Sequence, residues 1–346
     1  MKNKLGFQTS FSLKAYNTFG IDVRAAYFAS PRSIGEMQEL CHLVPDFKRL
    51  LVLGGGSNVL LVGDFPGYVI HPIFQRIEVL EENADRCLWR VEAGVNWHFL
   101  VSYSLQQGWQ GLENLALIPG SVGAAPIQNI GAYGIEIAEF IYAVEGLDLS
   151  SFQLLTLPKQ ACEFGYRDSI FKKALKNKFI VTAIILELFR NRQPNTEYST
   201  LKQELEKMKA SPYSTQDVFE AVCRIRRRKL PDPATVGNAG SFFKNPEIDF
   251  KHYTLLKEKH PDLVAFALPG KRYKIAAGWL IEKCGWKGRA IGGAAVHPHH
   301  ALVLVNKKDA TGHEILRLAE AIEKDVYENF GITLEREVNV IEGNSF

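Results

Sequence analysis

The sequence predicts an α+β protein of more than one unit, and three observations carry that prediction. Short β-prone runs such as VRAAYFA, NVLLV and IEVLEE are mixed with segments of helical periodicity. At 346 residues the chain exceeds what one small core organises, so two or three subdomains around a shared cleft are expected. Two glycine-dense stretches, LGGGSN from Leu53 and GLENLALIPGSVGAAPIQNIGAYG from Gly111, interrupt the elements; the second is too apolar for a linker.

In chain order, the runs VRAAYFA, LLVLGG, NVLLV and YVIHP read as strands around a helical pattern over 33–43. The segment 49–62, RLLVLGGGSNVLLV, reads as strand, tight loop, strand, because Val and Leu flank residues that readily leave ordinary backbone space. After Pro72, IEVLEE and LWRVEAGV continue as strands, and a helix over 97–108 leads into the second glycine-rich stretch. A helix over 220–228 is ended by Pro231, and KLPDP makes a subdomain junction. Beyond it lie GNAGSFFKNP, a helix opening near Ala276, and a last helix from about His313 whose Ile315, Ala319, Ile322 and Val326 recur at helical spacing before Gly331. The end, ITLEREVNVIE, reads as a strand whose alternation puts Glu335 and Glu337 on one face and Leu334, Val338 and Val340 on the other.

A formal charge of +3 gives no global field for nucleic acid or an anionic membrane. The dense run RIRRRK, 224–229, lacks interleaved aromatics and falls where a helix ends, where cations complement the helix C-terminus. Cys41, Cys87, Cys162, Cys223 and Cys284 are scattered without a CxxC pair, which argues against a disulfide framework or zinc site and fits a reducing cytosol. In HPHH, Pro298 separates His297 from His299 and His300 with no acidic or cysteine neighbour, so no metal is expected; a loop near a nucleotide is. No apolar leader follows the first lysines, and a soluble, cytoplasmic protein is expected.

Gly54, Gly55 and Gly56 let the backbone approach a ligand, and the N–H groups of such a loop form a concave anion site, with Ser57 and Asn58 adding side-chain donors. Neither the GxGxxG nor the GxxxxGK[ST] spacing is present, which disfavours the common dinucleotide and P-loop readings. A second backbone surface, Pro119, Gly120, Ser121, Gly123 and the run 128–133, asks for a large, flat ligand, as a nucleotide-bearing cofactor with a pyrophosphate and an extended ring would be.

Taken in order, NTFGI at Asn17, LGGGSNVLL at Leu53, IPGSVGAAPIQNIGAYG at Ile118, GYRDSIFK at Gly165, KLPDP at Lys229, GNAGSFFKNP at Gly237, AAGWLIE at Ala276, GGAAVH at Gly292 and LEREV at Leu334 closely resemble the UDP-N-acetylenolpyruvoylglucosamine reductase family, in its longer subclass. The resemblance spans essentially the whole chain. It implies a two-subdomain FAD-binding module of the vanillyl-alcohol-oxidase type plus a C-terminal α+β substrate-binding domain. The expected boundaries are 1–75 joined by 338–346, then 76–228, then 229–337.

The resemblance further implies FAD held by Gly54, Gly55, Gly56, Ser57, Asn58, Ile118, Ser121, Gly123 and Gly131, and NADPH as hydride donor. Its reaction reduces the enolpyruvyl group of UDP-N-acetylglucosamine enolpyruvate to UDP-N-acetylmuramate, by hydride transfer from flavin followed by protonation. Arg167 would stabilise the developing charge, as a guanidinium fork suits a carboxylate; from the residues alone it could equally pair with Asp168. Ser241 would give the proton, although by itself it reads as a turn or cap serine. Pattern leaves Glu335 and Glu337 equivalent, and the resemblance selects Glu337. It also points to Tyr166, Tyr198, Lys229 and Asn245 for substrate or nicotinamide cofactor, and a monomer is expected. A flavin oxidase and a nucleotide-sugar-binding protein without flavin are the rival readings.

Overall fold

The computed structural model describes residues 6–343; the outermost parts of the expected first subdomain, 1–5 and 344–346, lie outside them. A mixed four-stranded sheet is built from Gln8–Ser12, Arg24–Ala29, Phe65–Ile70 and Leu50–Val52, in that spatial order; the first pair is antiparallel and the others parallel. A five-stranded antiparallel sheet follows in the order Leu154–Pro158, Ile141–Asp148, Phe179–Phe189, Arg86–Glu92, Ile77–Glu82. The last third contributes a four-stranded sheet containing Gly237–Ser241 and Val303–Asn306, and a three-stranded sheet formed by Glu247–Asp249, Ala265–Leu268 and Arg272–Ile275. This is the α+β architecture expected.

Strand, loop, strand holds for 49–62, but the two strands do not form a hairpin. Leu50–Val52 pairs in the first sheet, whereas Val59–Leu61 pairs in parallel with Asn339–Ile341 near the chain end. The glycine loop therefore bridges two sheets and has the end of the chain beside it.

Helix boundaries follow their caps. Ser33 accepts from the Glu36 N–H and opens Ile34–His42. The helix expected over 220–228 is Thr215–Lys229, five residues longer at its start, where Ser214 and Asp217 form a capping box. The helix expected over 97–108 ends at Gln106. The last helix, Gly312–Phe330, buries Ile315, Ala319, Ile322 and Val326 and stops at Gly331, whose φ of 63° suits glycine.

The predicted final strand is a correction. Only Asn339–Ile341 is strand; 332–338 lies along residues 242–244, joined by the Phe243–Arg336 bridge and by Lys244 N–H to Glu335 O and Glu337 N–H to Phe242 O, both 2.8 Å. Because its neighbour is an irregular segment and not a strand edge, the alternation fails. Glu335 is exposed, while Glu337 is turned inward.

Hydrophobic packing joins the expected first unit to both others; a smaller cluster packs Phe7, Ala29 and Ile70 against Ala93, Leu147 and Ile180. One continuous core joins residues from Leu13 to Val69 with residues from Ala239 to Val338, while a second spans Cys87 to Ile225. Between these two bodies lies a cleft.

Candidate active site

The cleft takes 52–59 and 239–241 from one body and Trp97, Ile118, Ser121, Gly131, Arg167 and Arg226 from the other, with Glu337 and Asn339 from the segment after the last helix. Its first wall is the glycine loop. A Cβ at Gly55 would stand 2.9 Å from Gly120 Cα, and one at Gly54 would collide with Ser121 Oγ, so the two glycine-rich stretches touch because side chains are missing. Gly56, at φ 60°, abuts the Tyr16 carbonyl.

No backbone N–H of residues 54–58 donates to an acceptor among the described residues. Free donors in a row along a cleft wall are what an anion nest requires. The side-chain donors expected of Ser57 and Asn58 are engaged elsewhere: Ser57 Oγ donates to Pro119 O at 3.0 Å, and Asn58 Nδ2 donates to Gln128 Oε1 at 2.5 Å and Glu337 O at 3.2 Å. These two residues therefore tie the loop to its surroundings and leave the backbone to meet a ligand.

Opposite the nest, Arg167 stands in a tight turn: Gly165 and Asp168 exchange backbone hydrogen bonds at 3.0 and 3.1 Å, and Arg167 itself has φ 54°. A left-handed conformation at such a residue costs on the order of 1–3 kcal/mol and persists only where neighbours enforce it. Its Nη2 donates to Gly131 O at 2.8 Å and its Nε to Glu337 Oε1 at 2.9 Å. The alternative pairing is not made, since Asp168 pairs with Lys173 at 2.5 Å. Burial raises the Glu337 carboxyl above its ordinary value, against the opposing pull of Arg167, Lys244 and Lys172.

Ser241 ends its strand and lines the same cleft as this pair; the next residue, Phe242, accepts the Glu337 N–H. It caps no helix, and its hydroxyl makes no hydrogen bond to the other described residues. Phe242 and Phe243 behind it are fully buried.

The cleft thus gathers Gly54, Gly55, Gly56, Ser57, Asn58, Ile118, Ser121, Gly131, Arg167, Ser241 and Glu337. Gly123 does not line it; a Cβ there would stand 2.6 Å from that of Ala93, so this glycine serves packing of the second body. Tyr166 neighbours the site, with Lys274 Nζ 3.6 Å from its ring centroid. Tyr198 packs edge-on against Tyr133 at 5.5 Å, and Lys229 is exposed without an ion pair among the described residues. Asn245 Oδ1 accepts from Ala277 N–H at 3.0 Å and caps the helix Ala277–Lys283. None of these last four residues lines the cleft.

Sequence reasoning passed over Arg226. Within RIRRRK, Arg228 pairs with Glu204 at 2.8 Å, whereas Arg226 points into the cleft, donates to Leu117 O at 3.2 Å and has no carboxylate within 4 Å among the described residues. Burial pulls this guanidinium below its ordinary value, partly offset by the Tyr133 hydroxyl. Helical phase was the available signal, because Arg226 lies four residues after the buried Val222. The remaining conspicuous motifs hold less. All five cysteines are free, and among the described residues no three metal-ligating side chains gather, HPHH included.

A family profile described as "UDP-N-acetylenolpyruvoylglucosamine reductase, C-terminal domain" matches residues 232–341, and one described as "FAD binding domain" matches 25–149. The chain is 47% identical over 339 residues to the UDP-N-acetylenolpyruvoylglucosamine reductase of Paraburkholderia phytofirmans, covering 96% of each. The chain belongs to the UDP-N-acetylenolpyruvoylglucosamine reductase family. The relative from Amoebophilus asiaticus is 45% identical over 341 residues, covering 98% of this chain and all of that one. The crystal structure of the UDP-N-acetylenolpyruvylglucosamine reductase of Thermus caldophilus superposes with a TM-score of 0.68 at 25% identity, over 96% of this chain and 99% of the other. As a member of the reductase family the chain is an FAD-dependent oxidoreductase of peptidoglycan synthesis, with an FAD-binding module followed by a C-terminal α+β domain. Its glycine nest and close-packed second loop fit that cofactor.

Proposed function

We propose that the chain reduces the enolpyruvyl group of UDP-N-acetylglucosamine enolpyruvate to UDP-N-acetylmuramate, with NADPH as the source of hydride. The observation that carries this reading is the meeting of Arg167, Glu337 and Ser241 in the same cleft as the backbone nest of 54–58. FAD, when bound, supplies hydride to the olefin. The nest would hold its diphosphate, Ile118, Ser121 and Gly131 would line the rest of its site, and Gly123 packs against Ala93 behind that wall.

Arg167 offers a fixed cation where charge develops on the substrate carboxylate and the carbon beside it. Glu337 orients that guanidinium through Nε, and burial raises its carboxyl above the ordinary value. Ser241 lines the same cleft, makes no side-chain hydrogen bond among the described residues, and gives the proton that completes reduction. Arg226, without a carboxylate partner among the described residues and facing the cleft, receives an anionic part of the bound ligands.

Tyr166, Tyr198, Lys229 and Asn245 hold the sugar nucleotide or NADPH from the rim, and Asn245 keeps its amide nitrogen for that task while its oxygen caps a helix. The functional division is 1–75 with 338–346, 76–228 and 229–337, supported by the pairing of Asn339–Ile341 with Val59–Leu61. The protein works as a cytoplasmic monomer; among the described residues no helix is long and apolar enough to cross a membrane. Purified protein should be yellow, and beyond one equivalent per flavin it should oxidise NADPH only when the enolpyruvyl sugar nucleotide is added. NADPH oxidation with oxygen as sole acceptor would indicate an oxidase, and colourless protein that cannot be reconstituted would indicate a binding module.

A further inference from the structure

We infer that Asn129 is a positioning residue for Arg167, fixing the guanidinium in register with the cofactor-facing loop; this rests on the role proposed above for Arg167. Asn129 is 1% exposed and every polar atom of its amide is used. Nδ2 donates to the Gly165 carbonyl at 3.0 Å and to Glu136 Oε2 at 2.6 Å, and Oδ1 accepts from Ala138 N–H at 3.0 Å. The Gly165 carbonyl is the one that closes the turn carrying Arg167, through Asp168 N–H.

A second tether runs in parallel: Ser169, fully buried, donates from Oγ to the Ile127 carbonyl at 2.6 Å. Both ends of the turn are thus fastened to 127–129, in a loop whose Ile127, Gln128, Ile130 and Gly131 line the cleft. Arg167 then reaches back to Gly131 O in that same loop. Its φ of 54° is unfavourable for a long side chain, so the turn needs these external bonds to keep its shape. Asn129 is itself left-handed, at φ 46°, a conformation asparagine tolerates. One side chain therefore ties cofactor wall and charge stabiliser together, and a displacement of about 1 Å there is worth roughly a hundredfold in rate.

Asn129→Gly keeps the left-handed backbone and removes the tether together with the amide's bonds to Glu136 and Ala138. Flavin reduction by NADPH should stay within about twofold, while oxidation of the reduced enzyme by the enolpyruvyl substrate slows by roughly ten- to a hundredfold, in kcat more than in KM. In an Arg167→Ala background the same change should cost nothing further. Equal losses in both backgrounds, or in both half-reactions, overturn the inference while leaving the role of Arg167 intact. A full-rate Arg167→Ala enzyme overturns that role, and the inference with it. Should Asn129→Gly not fold, Ser169→Ala carries the test: a smaller loss, confined to the substrate half-reaction and absent without Arg167, supports the tether, and an unchanged half-reaction contradicts it.

Discussion

The Arg167 guanidinium meets the Glu337 carboxylate at 2.9 Å across 170 positions of sequence, and each side chain is less than one-fifth exposed. Such a pair is a poor source of stability, because desolvation offsets the attraction, and losing one partner leaves a charge uncompensated. Its value is a cation held in one orientation. Arg167→Ala should keep FAD and accept electrons from NADPH at nearly the normal rate, yet transfer them to substrate roughly 10²–10³ times more slowly; single-turnover kinetics checks this.

Glu337 gives a pH prediction with a definite sign. A carboxyl raised above its ordinary value binds more protons folded than unfolded, so its contribution is fully present below the ordinary value of 4.5 and is lost as pH rises through the folded one. Measured by urea unfolding, the stability of the natural protein relative to Glu337→Gln should therefore fall as pH increases above about 4.5. A difference that grows with pH would contradict the burial of this group. The same variant should lose most substrate turnover.

Much of this site was legible in the sequence, and the gaps have physical causes. Gly54, Gly55 and Gly56 between two apolar runs announced close backbone approach, and the structure puts that approach against Gly120 and Ser121. What local pattern could not supply was the tertiary partner: alternation made Glu335 and Glu337 equivalent, and only the irregular neighbour at 242–244 exposes one and buries the other. Ser57 and Asn58 read as ligand donors for the same reason, since Pro119, Gln128 and Glu337 are far away in sequence. Arg226 was hidden by its basic neighbours. Its orientation depends on the helix Thr215–Lys229 beginning at a capping box that the sequence does contain at Ser214 and Asp217.

The glycine loop is testable by paired substitutions. Gly55→Ala pushes a Cβ to 2.9 Å from Gly120 Cα, so the loops must part and FAD affinity should fall by at least about tenfold, the worth of one charge-assisted hydrogen bond. Gly20→Ala, at φ 68° with open space around it, should cost about 1–2 kcal/mol of stability and leave FAD affinity unchanged. Flavin titration of apoprotein and thermal unfolding distinguish the two.

Arg226 should show opposite effects on stability and ligand affinity. With no carboxylate partner among the described residues, it is a desolvated cation in the apoprotein. Arg226→Met should leave apoprotein stability unchanged or higher, while weakening FAD or the sugar nucleotide by about tenfold or more. Calorimetric titration with each ligand identifies which anion it meets.

The central claim concerns proton delivery by Ser241, and anaerobic stopped-flow of Ser241→Ala tests it most directly. Flavin bleaching by NADPH should proceed at the rate of the unaltered enzyme, and the return of flavin absorbance on adding UDP-N-acetylglucosamine enolpyruvate should be slowed by several orders of magnitude. Recovery of absorbance at the normal rate, or an equal slowing of both phases, would contradict the account.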